Sequence, residues 1–173
     1  NIRWSAHEVA YSLDDCDTRV LFVDDAFAPL VPRLRELSSS LRTVVFCGKG
    51  AAPEGALHYE QLLAAATPCA DALRSGNDLA AVMYTGGTTG VAKGAALSHD
   101  NLIANTLQAE AWNIPVLQTK NGRTEFVNVA ALPLYHIFAF TVSMLLTMRL
   151  GGSLVLIPNP RDIGGFIKTL SNY

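Results

Sequence analysis

Five short, continuous apolar runs recur along this chain, each parted from the next by a stretch patterned like a helix. They are Arg19–Asp24, Thr43–Cys47, Leu79–Tyr84, Glu125–Ala131 and Ser153–Ile157. A strand that is apolar throughout, rather than at alternate positions, is expected to be covered on both faces. Strands separated by helices pair in parallel through right-handed crossovers. The order therefore predicts an α/β protein: a three-layer sandwich with a mostly parallel, Rossmann-like sheet.

Local signals place the helices. Ser5 and Glu8 form a capping box ahead of a helix over Ala6–Leu13. Further helices are expected near Ala28–Leu37, over His58–Ala66, from His99 or Asp100 to about Trp112 with Ser98 as cap, over Ile137–Leu150 and over Asp162–Asn172. Gly164 and Gly165 weaken the last near its start. Thr67–Asp78 reads as loop, and Asn113–Thr124, with Pro115, Asn121 and Gly122, as a surface excursion rather than a boundary. The whole chain, residues 1–173, is read as one α/β subdomain.

The chemistry concentrates at Val82–Lys93, Val-Met-Tyr-Thr-Gly-Gly-Thr-Thr-Gly-Val-Ala-Lys, which follows directly on the apolar run Leu79–Tyr84. That is a strand feeding a glycine-rich loop. Glycines let the backbone approach an anion closely, and successive N–H groups can form a concave anion nest. Thr85, Thr88 and Thr89 add hydroxyl donors, and Lys93 adds a mobile positive charge. The string thus has the makings of a polyphosphate site, the plain alternative being a solvated surface loop. A Walker loop needs Gly before its Lys and Ser or Thr after it, whereas here Ala92 precedes Lys93 and Gly94 follows. A dinucleotide fingerprint should run straight into a helix, whereas here Ala95-Ala96-Leu97 intervenes.

A second segment, Val127–Phe140, is an apolar strand that breaks at Pro133 and reopens as an apolar helix. Pro133 ends ladder pairing, which puts Tyr135 and His136 at the carboxyl end of a strand, where open α/β sheets bind ligands. His136 can be a functional imidazole there, or a capping or core histidine.

These strings resemble the adenylate-forming superfamily of acyl-CoA synthetases, luciferases and peptide-synthetase adenylation domains. The family's signature loop runs Tyr-Thr-Ser/Gly-Gly-Thr-Thr-Gly-x-Pro/Ala-Lys-Gly, and Tyr84–Gly94 is similar throughout. The resemblance implies that Thr85, Gly86, Gly87, Thr88, Thr89, Gly90 and Lys93 hold the β- and γ-phosphates of ATP, Lys93 clamping the leaving pyrophosphate. Pro133-Leu134-Tyr135-His136 resembles the family's Pro-Leu/Met-Phe/Tyr-His motif. On that likeness Tyr135, His136 and Phe140 line the acyl and pantetheine side, His136 shapes the thioesterification site, and Phe140 either gates an acyl tunnel or is a helix-core aromatic. Gly86, Ala92 and Ile157–Asp162 look like bacterial long-chain fatty acid–CoA ligases.

The resemblance implies ATP, Mg²⁺ and CoA as cofactors or co-substrates and a fatty acid as substrate. It also implies a C-terminal lobe in the remainder of a parent chain, a cytoplasmic enzyme with peripheral membrane contact, and a homodimer. The family's later motifs are not in this sequence: the Tyr-Gly-x-Thr-Glu run with its metal-binding acid, the ribose Asp and the lobe Lys. The chain is accordingly expected to be part of an N-terminal lobe, inert alone. Its start at Asn1 without Met points the same way. Two alternatives stay open: an aryl- or amino-acid-activating adenylation domain, and a non-catalytic nucleotide-binding α/β module.

Composition trims the field. Half of the 173 residues are hydrophobic and only 16% are charged, so a large core is available. Thirteen basic against fifteen acidic residues give a net charge of −2, which argues against a nucleic-acid partner. Cys16, Cys47 and Cys69 are odd in number, as expected of reduced thiols, and no His/Cys cluster suggests a metal site. The longest apolar run is too short to span a bilayer.

Overall fold

Each strand–helix alternation in the sequence becomes a strand–helix alternation in space, carried by two compact units. The computed structural model describes residues 4–85, 90–118 and 126–173. One unit takes in Asn1–Leu73 and Tyr84–Ala95, the other Arg74–Met83 and Ala96–Tyr173.

The first unit opens with α1 (Ala6–Asp15), and its capping box is formed as predicted. Glu8 N–H donates to Ser5 Oγ at 3.4 Å, and Ser5 N–H donates back to Glu8 Oε2 at 2.8 Å. Strand β1 (Val20–Val23) leads through a 3-10 turn, Ala28–Leu30, into α2 (Val31–Leu37). Pro29 and Pro32 sit in first turns, where the missing N–H has no partner to lose. Strand β2 (Thr43–Phe46) pairs in parallel with β1, Val20 opposite Thr43 and Val23 opposite Phe46. A two-residue strand that sequence reading missed, β3 (Leu57–His58), adds to the far side of β2 in parallel and leads into α3 (Tyr59–Ala65).

Ala10 and Leu13 of α1, Val31 and Leu34 of α2, and Val23, Val44 and Phe46 of the sheet form one buried cluster with Leu41. Coverage of both sheet faces, expected from the apolar runs, holds for β2 but not for β1. Val20 and Phe22 point to the other face and stay exposed, Phe22 and Tyr59 meeting edge-on at 6.4 Å between ring centroids. The uniform run reflects an apolar second face that this unit leaves largely uncovered.

Asp14, near the end of α1, ties that helix to the turn after α2. Its carboxylate accepts from Ser38 Oγ (2.6 Å), Ser39 N–H (3.1 Å), Ser40 N–H (3.0 Å) and Ser40 Oγ (2.8 Å). The Ser38 hydroxyl first, then the Ser39 and Ser40 groups, hold this carboxyl far below the ordinary value near 3.8. A depressed carboxylate stabilises the fold fully above its unfolded value, and the contribution fades as pH falls towards the folded one. Asp14→Asn should therefore lower the urea midpoint at pH 7, and the gap from the wild type should narrow below about pH 4. Parallel titrations at pH 7 and pH 3 would check this, a constant gap counting against it.

Strand β4 (Leu79–Thr85) pairs with β5 (Lys93–Ser98), and each begins in one unit and ends in the other. The sequence reading took Ala95–Leu97 for a brief apolar connector. It is the middle of a strand, and the connection from β4 is too short to hold a crossover helix.

In the second unit α4 spans His99–Gln118. Ser98 opens it as expected: Asn101 N–H donates to Ser98 Oγ at 3.2 Å, and Ser98 N–H to Asn101 Oδ1 at 3.0 Å. The helix does not stop near Trp112. It runs on through Pro115, so much of the expected excursion is helical. Proline removes one ladder bond without ending the helix, and nearer its start Thr106 is buried and Glu110 Oε2 accepts from Arg149 Nε at 3.1 Å.

Strand β6 (Val127–Ala130) pairs in parallel with β7 (Ser153–Leu156), Val127 opposite Ser153 and Ala130 opposite Leu156. Between them runs the expected helix, but its middle, Ala139–Leu145, is π-helical before it returns to α5 (Leu146–Arg149). The small residues Ala139, Thr141, Ser143 and Thr147 are buried along this helix. Gly151 ends it at φ +64°, and at Gly152 a side chain would overlap the Phe126 carbonyl. The last helix, α6 (Ile163–Leu170), is capped by Asp162, whose Oδ1 accepts from Gly165 N–H at 3.0 Å. No helix among the described residues is long and apolar enough to cross a membrane.

Candidate functional site

The glycine-threonine string leaves the end of β4 and returns as β5. Thr85 and Lys93 are its exposed stems, joined where Thr85 Oγ1 donates to the Lys93 carbonyl at 3.3 Å. Gly86, Gly87, Thr88 and Thr89 lie outside the described residues. Gly90 adopts φ +152°, a conformation for glycine alone, and a side chain placed on it would meet nothing within 4 Å. Lys93, as the first residue of β5, has its backbone fixed by the strand pair while its side chain stands in solvent.

Tyr84, just before Thr85, is held from the side. Its hydroxyl donates to Asp15 Oδ2 at 2.6 Å and also lies 3.2 Å from the Ser12 carbonyl, and its ring meets Trp4 edge-on at 5.9 Å. Burial and the carboxylate it donates to push this phenol well above the ordinary tyrosine value. The sequence marks Tyr84 as the first residue of the signature string but assigns its side chain no partner, because those partners lie about seventy residues away.

In the second unit, β6 ends at Ala130 and the chain turns at Pro133, where His136 N–H donates to the Pro133 carbonyl at 3.0 Å. Tyr135 and His136 thus stand one turn beyond the strand rather than at its end. His136 opens the following helix in two ways. Its carbonyl accepts from Phe140 N–H at 2.9 Å, and its ring Nδ1 accepts from Phe138 N–H at 3.3 Å. A capping Nδ1 assigns the proton of the neutral ring to Nε2, leaving an outward donor on an exposed side chain. The capping role considered for this histidine is thus formed through Nδ1.

Beside this helix lies an apolar groove of about 690 Å³ walled by Leu97, Leu102, Ile137, Phe138, Thr141 and Val142, with Asn101 and Asn105 as its polar points. Tyr135, His136 and Phe140 are not among its walls. Phe140 is half-buried within the π-helical segment. Among the described residues no group of three or more His, Cys, Asp or Glu side chains could hold a metal ion.

Comparison with known proteins defines the class. The sequence model of the AMP-binding enzyme family matches residues 1–173, and this chain belongs to that family. Its relatives include a long-chain-fatty-acid–CoA ligase of Haemophilus influenzae, 52% identical over 57% of this chain and 17% of that protein. The ligase of the same name in Thermus thermophilus is 35% identical over 93% of this chain and 28% of that protein. Among solved structures, the anthranilate CoA ligase AuaEII with anthranoyl-AMP superposes over the whole chain and 32% of its own, with a TM-score of 0.81 and 28% identity. ATP-bound MatB from Rhodopseudomonas palustris superposes over 92% of this chain and 29% of its own, with a TM-score of 0.70 and 29% identity. The α/β fold is therefore that of the adenylate-forming enzymes, and the chain spans between a sixth and a third of these relatives' length.

Proposed function

We propose that this chain is the phosphate-gripping subdomain of an AMP-forming fatty acid–CoA ligase. The observation that carries the reading is the family match over the whole chain, with the Tyr84–Gly94 string set between two paired strands. In the reaction a carboxylate oxygen of the fatty acid attacks the α-phosphorus of ATP, the bond to the bridging oxygen breaks, and pyrophosphate leaves. The CoA thiolate then attacks the acyl carbonyl and AMP leaves. Lys93 and the Thr85, Thr88 and Thr89 hydroxyls, with the backbone of Gly86, Gly87 and Gly90, hold the β- and γ-phosphates, where charge collects as pyrophosphate departs. Mg²⁺ carried in with ATP would add to that charge stabilisation.

His136 offers its Nε2–H on the acyl and CoA side, with Tyr135 beside it and Phe140 one helical turn on. Phe140→Ala in the full-length enzyme is expected to shift the kcat/KM ratio between two acyl chain lengths by about tenfold, the worth of a methylene's fit, with KM for ATP unchanged. A uniform loss of activity with a lowered Tm would make Phe140 a packing residue instead.

The test of the reading is acid-dependent ATP–pyrophosphate exchange by the full-length enzyme, with palmitate, an aromatic acid and an amino acid compared. Exchange with palmitate followed by palmitoyl-CoA formation supports it. Exchange with the aromatic acid alone supports the aryl reading, which the likeness to the anthranilate ligase favours. No exchange with any acid leaves a non-catalytic nucleotide-binding module. Residues 1–173 expressed alone are expected to be inert, since the relatives are three to six times longer. Cytoplasmic location, peripheral membrane contact and a homodimer belong to the same proposal.

A further inference from the structure

The tyrosine that begins the string does more than end a strand. Tyr84 Oη has one proton to give, and the 2.6 Å contact to Asp15 Oδ2 is the short, charge-assisted one, the Ser12 carbonyl at 3.2 Å being secondary. Asp15 is the last residue of α1, a helix fixed at both ends. Its first turn is locked by the Ser5–Glu8 box, and Asp14 is tied to Ser38, Ser39 and Ser40 by hydrogen bonds. On the other side of Tyr84, Thr85 Oγ1 reaches the Lys93 carbonyl at 3.3 Å. A continuous path runs from a fixed helix through one phenol to the backbone of the lysine.

We propose that the Tyr84–Asp15 pair is a positioning latch that fixes Thr85 and Lys93 for the phosphates of ATP. The proposal rests on the functional reading above and assigns neither residue a contact with substrate. Packing alone does not account for the hydroxyl, because a phenylalanine ring would meet Trp4 equally well. What the bond supplies is direction. It stops the end of β4 from swinging about the strand axis, and in a phosphate site a small misplacement of a charged donor is costly.

The experiment uses the full-length enzyme with Tyr84→Phe, Asp15→Ala, Asp15→Asn and the double variant Tyr84→Phe/Asp15→Ala. Tyr84→Phe and Asp15→Ala should each raise KM for ATP about tenfold, the loss of one hydrogen bond to a charged group, while KM for the fatty acid and Tm hold. The double variant should be no worse than either single one, because both break the same bond. Asp15→Asn keeps an acceptor oxygen and should restore most of the ATP affinity. Hydrogen–deuterium exchange gives a readout independent of turnover: the backbone amides of residues 90–95 should exchange faster in Tyr84→Phe.

Unchanged exchange there overturns the latch, whatever the activity. So does a wild-type KM for ATP in Tyr84→Phe, or additive losses in the double variant. If the wild type itself carries out no pyrophosphate exchange with any acid, the functional reading falls, and the amide exchange still decides whether the latch exists.

Discussion

Replacing Lys93 by Ala in the full-length enzyme is expected to lower kcat/KM for ATP by about 2–4 kcal/mol, roughly 30- to 1000-fold, while leaving Tm unchanged. The size follows from what the ammonium would contact. Charge builds on the β- and γ-phosphates as the bond to the α-phosphorus breaks, so a cation there acts more strongly on the transition state than on bound ATP. The neutral outcome for stability follows from position: Lys93 is exposed at the head of β5, and removing an exposed side chain away from any cap or core contact shifts stability by only a few tenths of a kcal/mol. Acid-dependent pyrophosphate release at varied ATP, beside a melting curve, reads both quantities. An unchanged rate would remove the phosphate role from Lys93.

The opposite pattern is expected for Phe46→Ala. Phe46 is 2% exposed at the centre of the first unit, paired across the sheet with Val23 and edge-on to His58 at 6.0 Å. On one side a Cβ added at Gly48 would lie 2.5 Å from the Phe46 ring, so the chain there fits the aromatic closely. Emptying the site leaves a cavity that strands fixed by ladder bonds cannot close, at a cost of about 3–5 kcal/mol, a large fraction of a typical domain's stability. Urea denaturation should show the midpoint falling with little change in slope, and KM for ATP on the folded fraction should hold. A loss below about 1 kcal/mol would mean that the site collapses around the smaller residue. The two substitutions together separate chemistry from packing: one should lose catalysis at constant stability, the other stability at constant affinity.

How much was legible in the sequence depended on how far apart the partners lie. The capping box at Ser5 and Glu8 and the cap at Ser98 involve residues three apart, and both form, whereas Asp162, read as the first residue of the last helix, is its cap. Parallel pairing of β1 with β2 and of β6 with β7 followed from helices too long to be hairpins. Elements at the edge of detection were misjudged. Leu57–His58 is too short for a period to register, and Lys93–Ser98 begins with Lys-Gly, which depresses any strand reading although the pairing with β4 overrides it. Pro115 marks a helix end by every local rule, yet α4 continues through it to Gln118.

The sequence by itself determined the chemical inventory: a strand feeding glycines, threonines and a lysine, and a proline break followed by tyrosine and histidine. Those are local properties, since hydroxyls, charge and backbone freedom belong to residue types wherever they fall. Tertiary structure alone decided which groups remain available. His136 spends Nδ1 on the Phe138 N–H, and the groove beside the helix is walled by Ile137 and Phe138 rather than Phe140. Tyr84 finds Asp15, 69 positions away, only because the end of α1 and the end of β4 meet in one unit. No period or motif encodes such a meeting, because the hydrogen bond that fixes it is made between side chains that come together only after both elements have formed and packed.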